Sequence, residues 1–143
     1  MIEWNRRFMA LAEHIAGWSK DPSTKCGAVI VDQRKRIVSV GFNGFPAGVK
    51  DSAARYNDRE EKYKFVVHAE KNAILFAGRD LSGCSLYVWP IPPCSQCAAA
   101  IVQAGIKWVF SPMTSDPATE RWAESVQATV AIFMETGVTW LEI

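Results

Sequence analysis

The stretch SLYVWPIPPCSQCAAAIVQAGIKWVFS, residues 85–111, decides the fold. Ser85 to Trp89 is a short apolar run that suits a buried strand, and Pro92-Pro93 ends it. CSQCAAAIVQA is rich in helix formers and stops at Gly105, and IKWVFS reads as a second short buried strand. A strand, a helix and a strand in that order require a crossover, which makes the two strands parallel. Toward the C-terminus the unit repeats. Asp116-Pro117 starts a helix with an N-cap acid and a proline at N1, and Trp122, Val126, Val130 and Phe133 form its stripe up to Gly137, before VTWLEI. Upstream, Ala69, Ala73, Ile74, Phe76 and Ala77 follow His68 at helical spacing and stop at Gly78. Before them, CGAVIVD (26–32) and RIVSVGFN (36–43) flank Gln33-Arg34-Lys35 as a hairpin. Phe8, Leu11, Ala12, Ile15 and Trp18 mark an opening helix, and Gly44 to Lys64 reads as a long loop with room for one helical turn. The order α-β-β-α-β-α-β-α-β predicts an α/β fold: a five-stranded mixed sheet with helices on both faces, one domain over residues 1–143.

Composition narrows the function. The 143 residues are 49% hydrophobic and 22% charged, which suits a globular domain and not a disordered chain. A net charge of +1 lacks the positive excess that polymeric nucleic acid demands. Apolar runs such as Ala98 to Val102 and Val130 to Met134 are five residues, far short of a membrane span. Glu3, Arg6, Arg7 and Glu13 interrupt the N-terminal hydrophobic pattern, so no signal-peptide core is expected. A cytoplasmic, reducing location follows, in which cysteines serve metal binding or catalysis in preference to disulfides. Trp18, Trp108, Trp122 and Trp140 fall on predicted buried faces, which favours core packing over base stacking.

His68-Ala69-Glu70 opens one predicted helix and Pro93-Cys94-Ser95-Gln96-Cys97 the next. One imidazole and two thiolates, with a water, complete a catalytic zinc site. Helix N-termini stabilise thiolate. Glu70 would move protons between a zinc-activated water and substrate. Alone, a CxxC is often half of a structural zinc site, and a histidine at a helix start is often a core residue. Together, H-x-E and P-C-x-x-C match the signature of zinc nucleobase deaminases.

At these residues the chain resembles the cytidine and deoxycytidylate deaminase superfamily, most closely the deoxycytidylate (dCMP) deaminases. SKDPSTKCGAVIV (19–31), GFNGFP (41–46), VVHAEKNAIL (66–75) and PPCSQCAAAIVQAGI (92–106) carry the likeness, which runs from about Trp4 to Phe110. The resemblance implies a three-layer cytidine-deaminase-like fold and one Zn2+ per chain on His68, Cys94 and Cys97. It implies hydrolytic deamination of dCMP to dUMP and ammonia, by zinc-bound hydroxide attack at C4 with Glu70 as proton shuttle. Asn43 would bond the sugar hydroxyl, or is simply a turn residue. The Ala69 backbone would hold the pyrimidine O2. Lys20 and Lys25, with Ser23 and Thr24, either reach a 5′-phosphate or are ordinary solvated residues. The resemblance further implies a homo-oligomer, a hexamer in larger members, and dCTP and dTTP as regulators. Gly41, Phe42 and Gly44, with the charged segment holding Lys50, Arg55, Arg59, Lys62 and Lys64, are the place for a triphosphate; Phe76 and Arg79 would transmit it across an interface.

Three departures stand out. Ala47 replaces a frequent basic residue, which puts regulation in question, and the V-W-P-I-P approach to Cys94 is bulkier, with Trp89 positioned to reshape the pocket. No second zinc set exists in the 44–67 loop, leaving Cys26 and Cys84 as buried strand thiols. The rival functions are another deaminase of the superfamily, acting on dCTP, a nucleoside, a free base or RNA, and a non-catalytic zinc-binding module.

Overall fold

In this computed structural model, which describes residues 2–112 and 123–143, the chain runs through six helices and five strands among the described residues. They are α1 (Ile2–Ala16), β1 (Gly27–Val31), β2 (Ile37–Phe42), α2 (Ala53–Asn57), α3 (Arg59–Phe65), α4 (Ala69–Ala77) and β3 (Ser85–Trp89), then α5 (Ser95–Gln103), β4 (Trp108–Ser111), α6 (Ala123–Thr136) and β5 (Thr139–Glu142). The helix start at Asp116-Pro117 and Trp122 lie outside the described residues.

The strands form one sheet in the order β2-β1-β3-β4-β5. β1 and β2 pair antiparallel as the hairpin pattern predicts, with a register shift between Ile30 and Val31. β3, β4 and β5 are mutually parallel, as the crossovers through α5 and α6 require. β1 joins the two halves by pairing antiparallel with β3. All five of its residues are buried, because strands flank it on both edges and helices cover both faces. Ala28 and Ile30 point into a core with Ala73 of α4, Ile101 of α5 and Phe133 of α6. Val29 and Val31 point the other way, against Phe8, Met9 and Ala12 of α1. Full burial of each large aliphatic side chain here contributes roughly 1.5–3 kcal/mol.

Two glycines let helix and strand meet closely. A Cβ at Gly41 of β2 would lie 2.5 Å from Ala69 O and Ala73 N of α4, and one at Gly27 would run into α1 closer still. Position 41 thus presses α4, and with it the start of that helix, onto the sheet.

The 44–64 segment departs from expectation. It holds two short helices, because two side chains start them: the Ser52 hydroxyl accepts from Arg55 N (3.2 Å) and the Asp58 carboxylate from Glu61 N (3.2 Å). The tryptophans also differ. Trp18 is 54% exposed because α1 ends at Ala16, so it leaves the helical phase and meets Phe42 edge-on; Trp108, at the start of β4, is 45% exposed. Trp140 is half-buried, its indole N–H donating to Ser111 Oγ at 2.8 Å. Among the described residues no helix is long and apolar enough to cross a membrane.

Candidate active site and metal centre

Each crossover delivers a helix N-terminus to the same place. His68 is the N-cap of α4 and Cys94 the N-cap of α5, where its sulfur accepts from Cys97 N at 3.4 Å. His68 Nδ1 stands 3.4 Å from Cys94 Sγ and 3.4 Å from Cys97 Sγ, and all three donor atoms lie within 4.8 Å of one another. Bond lengths of about 2.3 Å to sulfur and about 2.0 Å to nitrogen, at tetrahedral angles, put N and S roughly 3.5 Å apart. The triad therefore fits zinc in both donor type and spacing.

Electrostatics of the three groups are coupled. The Cys94 thiol is lowered to about 4, first by the hydrogen bond from Cys97 and then by that of His68. Cys97 is pushed up by that same bond and by burial. His68 is raised, chiefly by its hydrogen bond to Cys94. Hydrogen bonding within the triad thus favours the thiolate form of Cys94.

The helix α6 braces this loop. Thr129, fully buried, donates its hydroxyl to Pro93 O at 2.9 Å, and Ser125 Oγ accepts from Ser95 N at 2.8 Å. The carbonyl and amide on either side of Cys94 are therefore fixed from outside α5.

Beside the triad opens a cavity of about 430 Å³. Glu70 borders it from the first turn of α4, only 5% exposed, and burial raises its carboxyl above the usual carboxylate range. Ala69 borders it too, and as the first helical residue its N–H has no intrahelical carbonyl to meet. Val88, Ile91, Pro92 and Val126 supply apolar wall.

Asn43 sits in the wall, 6% exposed, with its amide already in use. Oδ1 accepts from Cys26 N (2.9 Å), and Nδ2 donates to Thr24 O (2.9 Å) and Asp21 Oδ2 (3.4 Å). Its remaining capacity is one lone pair on Oδ1. Ser23 and Thr24 also line the cavity. Lys25 does not: its ammonium donates to Ser19 O, while Lys20 pairs with Asp51 at 3.1 Å. Cys26 is not a strand residue but the one before β1, half-buried in the cavity wall, its thiol pushed up by burial and by the Glu70 and Asp21 charges. Cys84 is buried just before β3. Trp89, at the end of β3, does not border the cavity.

Arg59, Lys62, Tyr63 and Val66 line the same cavity from α3 and its C-cap. Their spacing of i, i+3, i+4 and i+7 is one helical face. That spacing was visible in the sequence, though hidden by the polar character of the segment. Lys62 Nζ lies 3.2 Å from Oδ1 of buried Asp21. Of the segment expected to carry regulation, Arg59 and Lys62 therefore border this cavity, whereas Gly41, Phe42, Gly44, Phe76 and Arg79 do not. Gly41 is pressed on α4, Phe42 contacts Trp18, and Gly44 forms a bridge with Val67. On α4, Phe76 is 70% exposed, and beyond its end Arg79 Nε donates to Asp80 O.

Comparison with known proteins agrees with this arrangement. Residues 2–113 match the family described as the cytidine and deoxycytidylate deaminase zinc-binding region. A protein of Aliivibrio fischeri described as an uncharacterized deaminase in luxG 3'region is 50% identical over 143 residues, covering 99% of this chain and 95% of that one. Human deoxycytidylate deaminase is 40% identical, covering 97% of this chain and 79% of its own. In three dimensions the dCMP deaminase of cyanophage S-TIM5 superposes with a TM-score of 0.77 at 25% identity, covering 99% and 98% of the two chains. Matches of this extent reach past Phe110 into α6 and β5, and they make the chain a member of the cytidine and deoxycytidylate deaminase family.

Proposed function

We propose that the protein deaminates dCMP hydrolytically to dUMP and ammonia, within the cytoplasm, as a homo-oligomer. The observation that carries the reading is the meeting of the His68, Cys94 and Cys97 donors with the buried Glu70 carboxyl at one cavity. The 40% identity to human deoxycytidylate deaminase supports the choice of substrate.

His68 Nδ1 and the two cysteine sulfurs would hold one zinc per chain. Zinc in such a site supplies Lewis acidity that activates water at a pH of about 7. Glu70 would take the first proton of the attacking water and give it to ring N3, then carry the second from the new C4 hydroxyl to the 4-amino group, so that the C4–N bond breaks, ammonia leaves and the C4 carbonyl forms. Burial suits it to both roles, since it lifts the carboxyl above the ordinary carboxylate range, where a proton is held more readily than on an exposed glutamate. The Ala69 N–H faces the pyrimidine O2, and the free lone pair of Asn43 Oδ1 accepts from a sugar hydroxyl. Val88, Ile91 and Pro92 flank the ring and keep bulk water from the reacting carbon. Ser23 and Thr24 offer hydroxyls to the phosphate end. The exposed pair Leu75 and Phe76 on α4 (65% and 70%) supports a subunit contact there, through which dCTP or dTTP would act.

The test is ammonia release by zinc-loaded protein given dCMP, dCTP, CMP, deoxycytidine, cytosine or guanine separately. Turnover of dCMP above the rest is expected. Turnover of another of these without dCMP overturns the substrate, and no turnover of any leaves a zinc-binding module.

A further inference from the structure

Among the described residues, the charges lining the cavity leave one cation over. Lys62 is neutralised inside the wall by Asp21, which is 2% exposed. Lys20 is held by Asp51 and Lys25 by the Ser19 carbonyl, and neither borders the cavity. Arg59 does border it, three residues before Lys62 on the same face of α3. Among the described residues no acid or carbonyl engages its guanidinium.

We infer that Arg59 seats the 5′-phosphate of the substrate and so makes the site prefer a nucleotide to the matching nucleoside, an inference that rests on the nucleotide reading above. A guanidinium offers paired N–H donors that match phosphate oxygens, and it is weakly hydrated. It can therefore act at an exposed mouth where a lysine would stay with water. Its carrier is well fixed. Lys62, on the same face, bonds Asp21; Asp21 in turn accepts from Ser23 N at 2.8 Å and from Asn43. Arg59 shares the cavity lining with Ser23 and Thr24, and past the end of α3 the chain runs through Val66 and Val67 to His68. Phosphate seat and proton-moving residues thus belong to one wall. One unpaired cation among the described lining residues suits a monophosphate, the class with least charge to meet.

The experiment compares binding of dUMP and deoxyuridine, by calorimetry, to the wild type, Arg59→Ala and Arg59→Lys. Turnover of dCMP and deoxycytidine is measured beside it. Charge-assisted hydrogen bonds support roughly tenfold or more. The wild type should hold dUMP at least that much tighter than deoxyuridine. Arg59→Ala should erase the preference, leave deoxyuridine binding and the melting temperature unchanged, and raise KM for dCMP with little change in kcat. Arg59→Lys should keep part of the preference. A dUMP preference that is absent in the wild type, or that survives in Arg59→Ala, overturns the phosphate seat. A wild type that fails to turn over dCMP, while Arg59→Ala still erases the dUMP preference, overturns the deaminase reading and leaves the seat standing.

Discussion

Lys62 Nζ lies 3.2 Å from Asp21 Oδ1, with the two side chains 12% and 3% exposed. The pair joins α3 to the turn that leads into β1. Asp21 Oδ1 also accepts from Ser23 N, and Oδ2 takes Asn43 Nδ2, so one carboxylate fixes the polar end of the cavity. Desolvation makes such a pair weak evidence of net stabilisation, but its halves cannot be separated cheaply.

Asp21→Ala should therefore be costly. It strands the Lys62 charge in a half-buried site and removes the partner of Ser23 N and one of the two acceptors of Asn43 Nδ2. A loss of about 3 kcal/mol in urea unfolding is expected. A loss under about 0.5 kcal/mol would mean that Lys62 finds water and that the pair does not order the wall.

Glu70→Gln should separate metal from chemistry. The amide keeps the size of the side chain but cannot carry the proton, so turnover should fall by about a hundredfold or more. Zinc content, by elemental analysis, should stay at one per chain, because Glu70 is not in the donor triad. Loss of zinc in this variant would place the carboxylate among the ligands. His68→Ala, by contrast, should lose both zinc and turnover.

Much of this was legible in the sequence because the signals were local. β-branched runs, helix formers and stops in 85–111 specify two parallel strands and a crossover, and the sheet follows. H-x-E and P-C-x-x-C, each at a helix start, name the residues whose donor atoms the fold gathers. What was not legible depends on contacts between distant segments. The antiparallel pairing of β1 with β3 leaves no local trace. Arg59 and Lys62 read in the sequence as part of a charged segment for a triphosphate, and only the packing of α3 beside Asp21 shows them in the wall of this cavity. Lys25 looks like the natural phosphate ligand until its ammonium turns back to Ser19 O. The caps Ser52 and Asp58 were local, and reading them would have turned the long loop into helices.

Gly41→Ala tests whether the sheet positions the start of α4. The new Cβ would fall 2.5 Å from backbone atoms of Ala69 and Ala73, which cannot rotate away. Overpacking of this kind costs about 1–3 kcal/mol. A drop of that size in thermal or urea stability should come with reduced kcat, since Ala69 and Glu70 move with the helix. Full activity at reduced stability would show that α4 shifts without disturbing the site.

Thr129→Val tests the brace. It nearly preserves shape while removing the donor to Pro93 O, so a buried carbonyl loses its partner at a cost of about 1–3 kcal/mol. The effect should reach the metal, because Cys94 follows Pro93. Zinc release to a chelator should quicken relative to the wild type. An unchanged release rate would confine Thr129 to packing.

Asp32 gives the stability its acid dependence away from the site. Its carboxylate accepts from Arg34 N (2.9 Å), Arg36 N (3.0 Å) and Arg36 Nε (2.7 Å) at the β1–β2 turn. The Arg36 backbone bond comes first among the causes that hold its carboxyl below the ordinary range. An acid whose folded pKa lies below its unfolded value, about 3.9, favours folding above that value, and the gain fades as pH falls through the folded pKa. Asp32→Asn has no such charge to lose. Its urea midpoint should lie below the wild type at about pH 7, and the gap should narrow as pH falls below about 4. Comparing the two proteins at each pH cancels the loss of zinc in acid, which both share. A gap that stays constant down to about pH 3 would show that the ionised carboxylate at this turn holds no advantage over a neutral amide.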